Sequence, residues 1–151
     1  MDPVSVHALW LAQDYPKNNT AVLASKRGDV RLHKRVQTLP KKGVILEPLC
    51  GKVLGPEDHE LLTTKRGAIV GLDCSWKHID SSVREVMNKT RLQPRTLPLL
   101  LAANPVNWGK PGKLTTAEAV AAALYLVGRT EQARDVLGAF RWGKRFFELN
   151  Q

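Results

Sequence analysis

The first half of the chain alternates between short apolar runs and helix-like segments. Residues 4 to 10 place apolar side chains at every second position, which is the two-residue period of a β-strand. A short helix is predicted to begin at Thr20, whose side chain can cap it, and to end at Gly28, and another at 56–65 opens with proline. The further predicted strands are residues 30–33, 43–49 and 68–74. This order favours an α/β fold with ligand chemistry at the carboxyl ends of the strands.

The second half carries no strong strand signal. Pro94 and Pro98 bracket a stiff connection, beyond which the composition changes. Thr115 and Glu118 form a capping box in front of an alanine-rich helix, and two more helices are predicted after it. We therefore expect two lobes within one compact unit. Their expected bounds are residues 1–92 for the α/β lobe and residues 93–151 for a small all-α lobe.

The formal net charge of +9 indicates a polyanionic partner, with nucleic acid ahead of an acidic membrane surface. Seven Lys and Arg residues lie between positions 26 and 42 against one acid, Asp29. A surface that follows RNA phosphates is one interpretation, and a solvated edge strand protected by charge is the other. The residues that we expect to bind RNA are Lys26, Arg27, Arg31, Lys34 and Arg35.

Other classes of protein fit the sequence less well. Cys50 and Cys74 form no metal-ligand pattern with the four histidines, so we expect neither a metal nor an obligatory disulfide. No apolar run is long enough for a membrane span, and the first residues do not resemble a signal peptide. The prediction is a soluble, cytoplasmic protein.

Three segments contain combinations of residues that core packing alone does not explain. They are PKNNTAVL (16–23), GLDCSW (71–76) and LLLAANPVNWGKPGKLTTAEA (99–119). In the third, a loop rich in Asn, Pro and Gly has backbone groups that no strand ladder uses, and such groups need water or a ligand. This predicts a pocket for a polar heterocycle; a rigid linker between lobes is the alternative.

Together these motifs resemble those of the small-subunit ribosomal RNA aminocarboxypropyltransferases of archaea and eukaryotes, and the resemblance covers nearly the whole chain. It implies a SPOUT-like α/β lobe with a trefoil knot, then an all-α lobe, with S-adenosylmethionine between them. The implied reaction moves the 3-amino-3-carboxypropyl group to N3 of a uridine or N1-methylpseudouridine and releases 5'-methylthioadenosine. Small-subunit ribosomal RNA or a pre-ribosomal particle would be the partner of a monomeric enzyme.

Individual residues receive roles from their chemistry and from this resemblance. Thr20, at a helix start, suits the carboxylate of the cofactor's amino acid arm. Trp76 can wall off the methyl group and attract the sulfonium, although a core tryptophan is the plain alternative. Asp73 can accept the N3 proton or only balance the sulfonium charge. By resemblance, the ribose and adenine would be held by Leu72, Leu97, Gly112 and Thr116.

Two other functions compete with this one. A SPOUT-type RNA methyltransferase would use the same cofactor with its methyl group exposed. A noncatalytic ribosome-assembly factor would keep the fold and the basic surface but not the cofactor. The reaction products distinguish all three.

Overall fold

Five parallel strands form one sheet in the computed structural model, which describes residues 3–10, 20–47, 50–63, 65–73, 79–112 and 114–150. The strands are β1 (Val6–Trp10), β2 (Arg31–His33), β3 (Gly43–Leu46), β4 (Ala68–Asp73) and β5 (Gln93–Arg95). Their order across the sheet is β2-β1-β4-β3-β5, and every pairing is parallel. The predicted α/β class is therefore confirmed, as are four of the strands to within a few residues.

The helices of the described chain are α1 (Thr20–Lys26), α2 (His59–Leu62), α3 (Ile79–Met87), α4 (Thr116–Leu126), α5 (Thr130–Leu137) and α6 (Gly143–Leu149). The predicted capping box opens α4, where the Thr115 hydroxyl accepts a hydrogen bond from the Glu118 N–H at 3.2 Å. Among the described residues, no helix has the length and apolar character that a membrane crossing needs.

The sheet is buried on both faces. On one face, Val6, Ala8 and Ile69 pack with α1 and α4. On the other, Leu9, Ile45 and Val70 pack with Val86 of α3. Four of the five β1 residues are buried, which is typical of a parallel strand covered from both sides.

β5 was not predicted, and Pro94 is the reason. Proline cannot donate a hydrogen bond to a neighbouring strand, so its presence argues against a strand except at a sheet edge. β5 is such an edge strand, and within the described part of the chain β3 is the one strand that pairs with it. Arg95 adds a side-chain anchor, since its Nε donates to both carboxylate oxygens of buried Asp58 at 3.0 and 3.1 Å.

The prediction of a SPOUT-like knotted lobe followed by a separate all-α lobe is wrong. The structure supports an α/β fold around one parallel sheet, and it supports neither the trefoil knot nor an independent helical lobe. α4 packs directly on β4 and α1, and Val120 belongs to the same core as Val6 and Ile69. An alanine-rich helix with seven of its eleven residues buried needs such a partner, and hydrophobic periodicity carries no information on chain threading. The boundary at residues 92 and 93 stays a prediction.

Candidate cofactor site and basic groove

The carboxyl ends of the strands meet at one edge of the sheet. Trp10 and Asp73, the last residues of β1 and β4, are register partners there. Lys34 follows β2, and its Nζ lies 5.7 Å from the centroid of the Trp10 ring. This edge therefore brings together Trp10, Asp73 and Lys34. It is the edge at which the loops of a parallel sheet usually bind ligands.

Two helix starts meet beside this edge. The Thr20 hydroxyl, at the start of α1, accepts a hydrogen bond from the Ala117 N–H in the first turn of α4 at 3.2 Å. Gly71 allows the close approach of α4, because a Cβ at this position would lie 3.0 Å from both Thr116 Cγ2 and Val120 Cγ1. Thr20, the first turn of α4 and β4 at Gly71 therefore lie side by side, and a shared cofactor site at this place stays a prediction.

Leu72 contributes to this region through its backbone. Its side chain points to the other face of the sheet, where it packs with Leu9, Ile45 and Val70. Neighbouring Gly71 faces α4 without a side chain, so the main chain of β4 is the surface nearest to Thr116. The role of Leu72 as a backbone contact to the ribose stays a prediction.

A buried carboxylate ties the Asn-Pro loop to the start of α4. Glu118 is completely buried, and its Oε2 accepts from the Ala103 N–H at 2.7 Å. Its Oε1 accepts from Asn104 Nδ2 at 2.8 Å and from the N–H of Thr115 at 2.9 Å. Hydrogen bonds to a charged acceptor are among the stronger ones, so this cluster holds the loop rigidly against the helix.

The loop itself is a small hairpin. Leu101 and Pro111 form an antiparallel bridge, Ala102 N–H donates to Lys110 O at 3.1 Å, and Gly112 N–H donates to Leu100 O at 2.8 Å. Several backbone groups that we expected to be available to a ligand are therefore used inside the hairpin, and they do not by themselves indicate a pocket.

Two predicted cofactor residues flank this hairpin. Leu97, half-buried, precedes it and packs against the larger core. Gly112 ends it in an exposed position with a left-handed φ of 71°, a conformation that favours glycine. Gly112 stands only a few residues before Thr116.

The basic residues divide between two places. Arg31, Lys34 and Arg35 line one surface groove together with Leu32, His33 and Thr38. Lys26 and Arg27 instead lie at the last turn of α1 and just after it, and Arg27 pairs with Asp29 at 3.5 Å. β2 is also an edge strand, so its charges protect an edge while they line the groove.

A chain of hydrogen bonds runs from β1 to the floor of this groove. His7 Nε2 contacts Ser5 Oγ, His7 Nδ1 lies 2.8 Å from His33 Nε2, and His33 Nδ1 lies 2.8 Å from Thr38 Oγ1. The Thr38 hydroxyl donates to the carbonyl of Arg35 at 2.8 Å. A carbonyl only accepts, so the Thr38 hydroxyl donates to it and accepts from His33 Nδ1–H. With both rings neutral, each remaining group donates to the next, which places the proton of His7 on Nδ1 as well.

Electrostatics agree with two neutral rings. Burial, with help from His33 and Arg31, lowers the pKa of His7 from 6.5 to about 4. Burial and then Arg31 also lower the pKa of His33. Near neutral pH the charge of the groove therefore comes from arginine and lysine.

Comparison with known proteins identifies the family. Residues 44–151 match the model of the family described as "Ribosome biogenesis protein, C-terminal". The 16S rRNA aminocarboxypropyltransferase of Methanosarcina mazei is 43% identical over 136 residues, which are 90% of this chain and 75% of that protein. The enzyme of the same name from Methanosarcina acetivorans is 43% identical over 98% of this chain and 82% of its own length. This chain belongs to the 16S rRNA aminocarboxypropyltransferase family.

A solved structure from the same family has a closely similar fold. The SAM-dependent rRNA:acp-transferase Tsr3 from Vulcanisaeta distributa superposes with a TM-score of 0.88 at 38% identity. The match covers 97% of this chain and 78% of that one.

Two residues are central to the expected chemistry of an aminocarboxypropyltransferase. Asp73 is placed through its backbone as the last residue of β4. Trp76 lies outside the described residues, so its role as a wall for the methyl group stays a prediction.

Sequence reasoning missed two features of this aminocarboxypropyltransferase. Glu118 was interpreted only as half of a capping box, although its carboxylate also holds Ala103 and Asn104. A glutamate fourteen residues after the asparagine of an Asn-Pro loop offers no local signal of that contact. The His7–His33 pair joins two neighbouring strands, and one weak signal for it was a histidine within the apolar run of β1.

Proposed function

We propose that this chain transfers the 3-amino-3-carboxypropyl group of S-adenosylmethionine to N3 of a uridine or N1-methylpseudouridine in small-subunit ribosomal RNA and releases 5'-methylthioadenosine. The observation that carries the proposal is the 3.2 Å hydrogen bond between Thr20 and Ala117, which joins the starts of α1 and α4 beside Gly71. Family membership supplies the class of reaction.

The residues at this place fit the cofactor. The Thr20 oxygen already accepts from Ala117, so its hydroxyl proton is left to donate to a carboxylate. The eleven-residue helix α4 begins at Thr116 and directs a partial positive charge toward the same region. Gly112 leaves the base of the hairpin without a side chain, where a flat adenine needs room.

The family resemblance, together with the chemistry of Thr20, supports the following assignments. Thr20 would bind the carboxylate of the amino acid arm, and the backbone of Leu72 would contact the ribose. Trp76 would contact the methyl group. The adenine and ribose would further contact Leu97, Gly112 and Thr116.

The chemistry depends on which carbon is presented to the RNA. Bound S-adenosylmethionine supplies an electrophilic carbon next to a sulfonium, and three such carbons carry the same activation. By holding the carboxylate at Thr20 and covering the methyl group with Trp76, the chain would leave the arm's carbon in line with the nucleophile. Asp73 would balance the positive charge or accept the N3 proton, and the charge-balancing role is favoured because a nucleobase imide is already fairly acidic.

The RNA would approach over the basic groove. Arg31 at the start of β2 lines this groove together with Lys34 and Arg35, which follow the strand. Lys34 lies next to Trp10 at the carboxyl edge of the sheet. Lys26 and Arg27 would extend the contact along the end of α1. We further propose that the enzyme acts as a cytoplasmic monomer on ribosomal RNA or on a pre-ribosomal particle.

A single-turnover reaction tests the proposal. Small-subunit RNA is mixed with S-adenosylmethionine that carries different isotopes in its methyl and carboxypropyl groups. We expect carboxypropyl label in the RNA and release of methylthioadenosine. Methyl label in the RNA would establish a methyltransferase instead, and RNA binding with neither label transferred would favour an assembly factor.

A further inference from the structure

The hairpin of residues 100–112 and the residue before it expose an unusual amount of apolar surface. Of the five large apolar side chains that are well exposed in the described chain, three lie here. Val106 is 83% exposed, Leu99 is 78% exposed, and the indole-bearing Trp108 is 52% exposed. Such patches on a soluble fold mark interaction sites more often than single exposed residues do.

The hairpin tip that carries Val106 and Trp108 is held in place. Asn104 Oδ1 accepts from the Asn107 N–H at 2.9 Å, while Asn104 Nδ2 is anchored on buried Glu118. On the far side of Trp108, the Gly109 N–H donates to Ala102 O at 2.6 Å. Trp108 is thus flanked by fixed residues on both sides, and a partner would bind it without ordering a loose loop.

The base of the same hairpin belongs to the proposed cofactor site. Gly112 lies there beside Leu99, and Thr115 and Thr116 begin α4 shortly after it. The hairpin therefore connects the proposed position of the cofactor to an exposed aromatic side chain on one rigid element.

We propose that Trp108 is a stacking platform for an unpaired nucleobase of the RNA substrate. This inference rests on the proposed function and adds a substrate contact outside the basic groove. Bases in RNA loops are unstacked and are bound by flat aromatic side chains, whereas a paired stem offers no free base face. Exposed Lys110 on the same hairpin can meet the neighbouring phosphate.

Binding measurements with two RNAs test this contact. One is a small-subunit hairpin with an unpaired loop, and the other is a fully paired duplex of equal length. Trp108→Ala should lower the affinity for the hairpin roughly 5- to 150-fold, the range for removal of one base–aromatic stack, without a change for the duplex. Trp108→Phe keeps an aromatic face and should stay close to the wild type.

Tyr125→Ala is the matched control, because this aromatic residue is 46% exposed on α4 and should not affect either RNA. Cofactor affinity, measured separately, should be unchanged in all variants. Unaltered hairpin affinity in Trp108→Ala, or an equal loss on hairpin and duplex, would overturn the proposal. Loss of binding only to assembled small subunits would assign the patch to a protein partner instead.

The proposed reaction and the proposed stacking role of Trp108 can be disproved independently of each other. If Trp108 is needed for hairpin binding but the wild type transfers no group, the proposed reaction is wrong and the stacking role of Trp108 stands. If transfer occurs at wild-type affinity and rate in Trp108→Ala, the reaction stands and the stacking role is wrong.

Discussion

His7 Nδ1 lies 2.8 Å from His33 Nε2, which links a buried central strand to the floor of the basic groove. Only one proton can occupy the space between the two nitrogens. Both rings are neutral when the chain of donors runs from Ser5 to the Arg35 carbonyl. A proton added to His33 Nε2 would face the His7 Nδ1–H and would force His7 into its other tautomer.

The first prediction concerns stability against pH. The folded pKa of His7, about 4, lies below its value of 6.5 in an unfolded chain, so the unfolded state binds more protons between these values. Stability is therefore fully present above pH 6.5 and is lost as the pH falls toward 4. The expected loss between pH 7 and pH 5 is about 2 kcal/mol, since one pKa unit corresponds to about 1.4 kcal/mol.

Urea denaturation at several pH values measures this loss. His7→Asn keeps a donor near the Nδ1 position but cannot titrate, so its stability should depend less on pH than that of the wild type. His59→Asn removes a solvent-exposed histidine and should retain the wild-type dependence. Parallel pH profiles for wild type and His7→Asn would contradict the assignment.

The second prediction concerns the buried carboxylate of Glu118. Glu118→Gln replaces one acceptor oxygen by an amide donor, which must then face the N–H of Ala103 or the donors of Asn104 and Thr115. We expect destabilisation of about 2 to 4 kcal/mol, because hydrogen bonds to a buried charge are removed and a donor is left unpaired.

Chemical unfolding gives the free energy, with Glu60→Gln as the control. Glu60 is exposed on α2, and its ion pair with Lys65 is long, at 4.0 Å, so the substitution should cost less than about 0.5 kcal/mol. Similar effects of the two substitutions would show that Glu118 does not anchor the hairpin.

The third prediction concerns the packing of α4 on β4. Gly71→Ala adds a Cβ 3.0 Å from Thr116 Cγ2 and Val120 Cγ1, so these two side chains must shift by a few tenths of an ångström. The expected cost is about 1 to 3 kcal/mol of stability, together with weaker cofactor binding because Thr116 is displaced. Thermal unfolding and calorimetric titration with S-adenosylmethionine measure the two effects.

A second substitution separates crowding from other causes. Thr116→Ser removes the Cγ2 methyl that the new Cβ would meet. The Gly71→Ala/Thr116→Ser double variant should therefore lose less unfolding free energy than the two single variants lose together. Strictly additive destabilisation would mean that the two positions do not touch.

The sequence predicted the class of fold because it depends on local signals, whereas the roles of Thr20 and Thr116 at a shared cofactor site stay a prediction. Strand periodicity, a threonine before a helix and a capping box each operate over a few residues. The buried Glu118–Asn104 hydrogen bond, edge strand β5 and the packing of α4 on the sheet depend on residues distant in the chain, which periodicity does not encode. The knot came from resemblance alone, and the separate helical lobe came from the change in composition along the chain; these two parts of the prediction were wrong.

The last prediction tests which cations bind RNA. Lys34 and Arg35 line the groove at the carboxyl edge of the sheet, whereas Lys41 and Lys42 precede β3 and therefore lie toward the opposite edge. The Lys42 Nζ is engaged there with the carbonyl of Lys65 at 3.0 Å. Both pairs contribute the same formal charge. Their comparison therefore distinguishes RNA binding at the groove from non-specific attraction of RNA to the positively charged protein.

Lys34→Ala/Arg35→Ala should weaken binding to small-subunit RNA and flatten the plot of log affinity against log salt by about 1.4, since each phosphate neutralised on a single strand contributes about 0.7 to the slope. Lys41→Ala/Lys42→Ala should leave most of that slope intact. Titrations at several salt concentrations measure both. Equal changes of this slope in the two double variants would mean that RNA binding depends on the net charge of +9 and not on the groove.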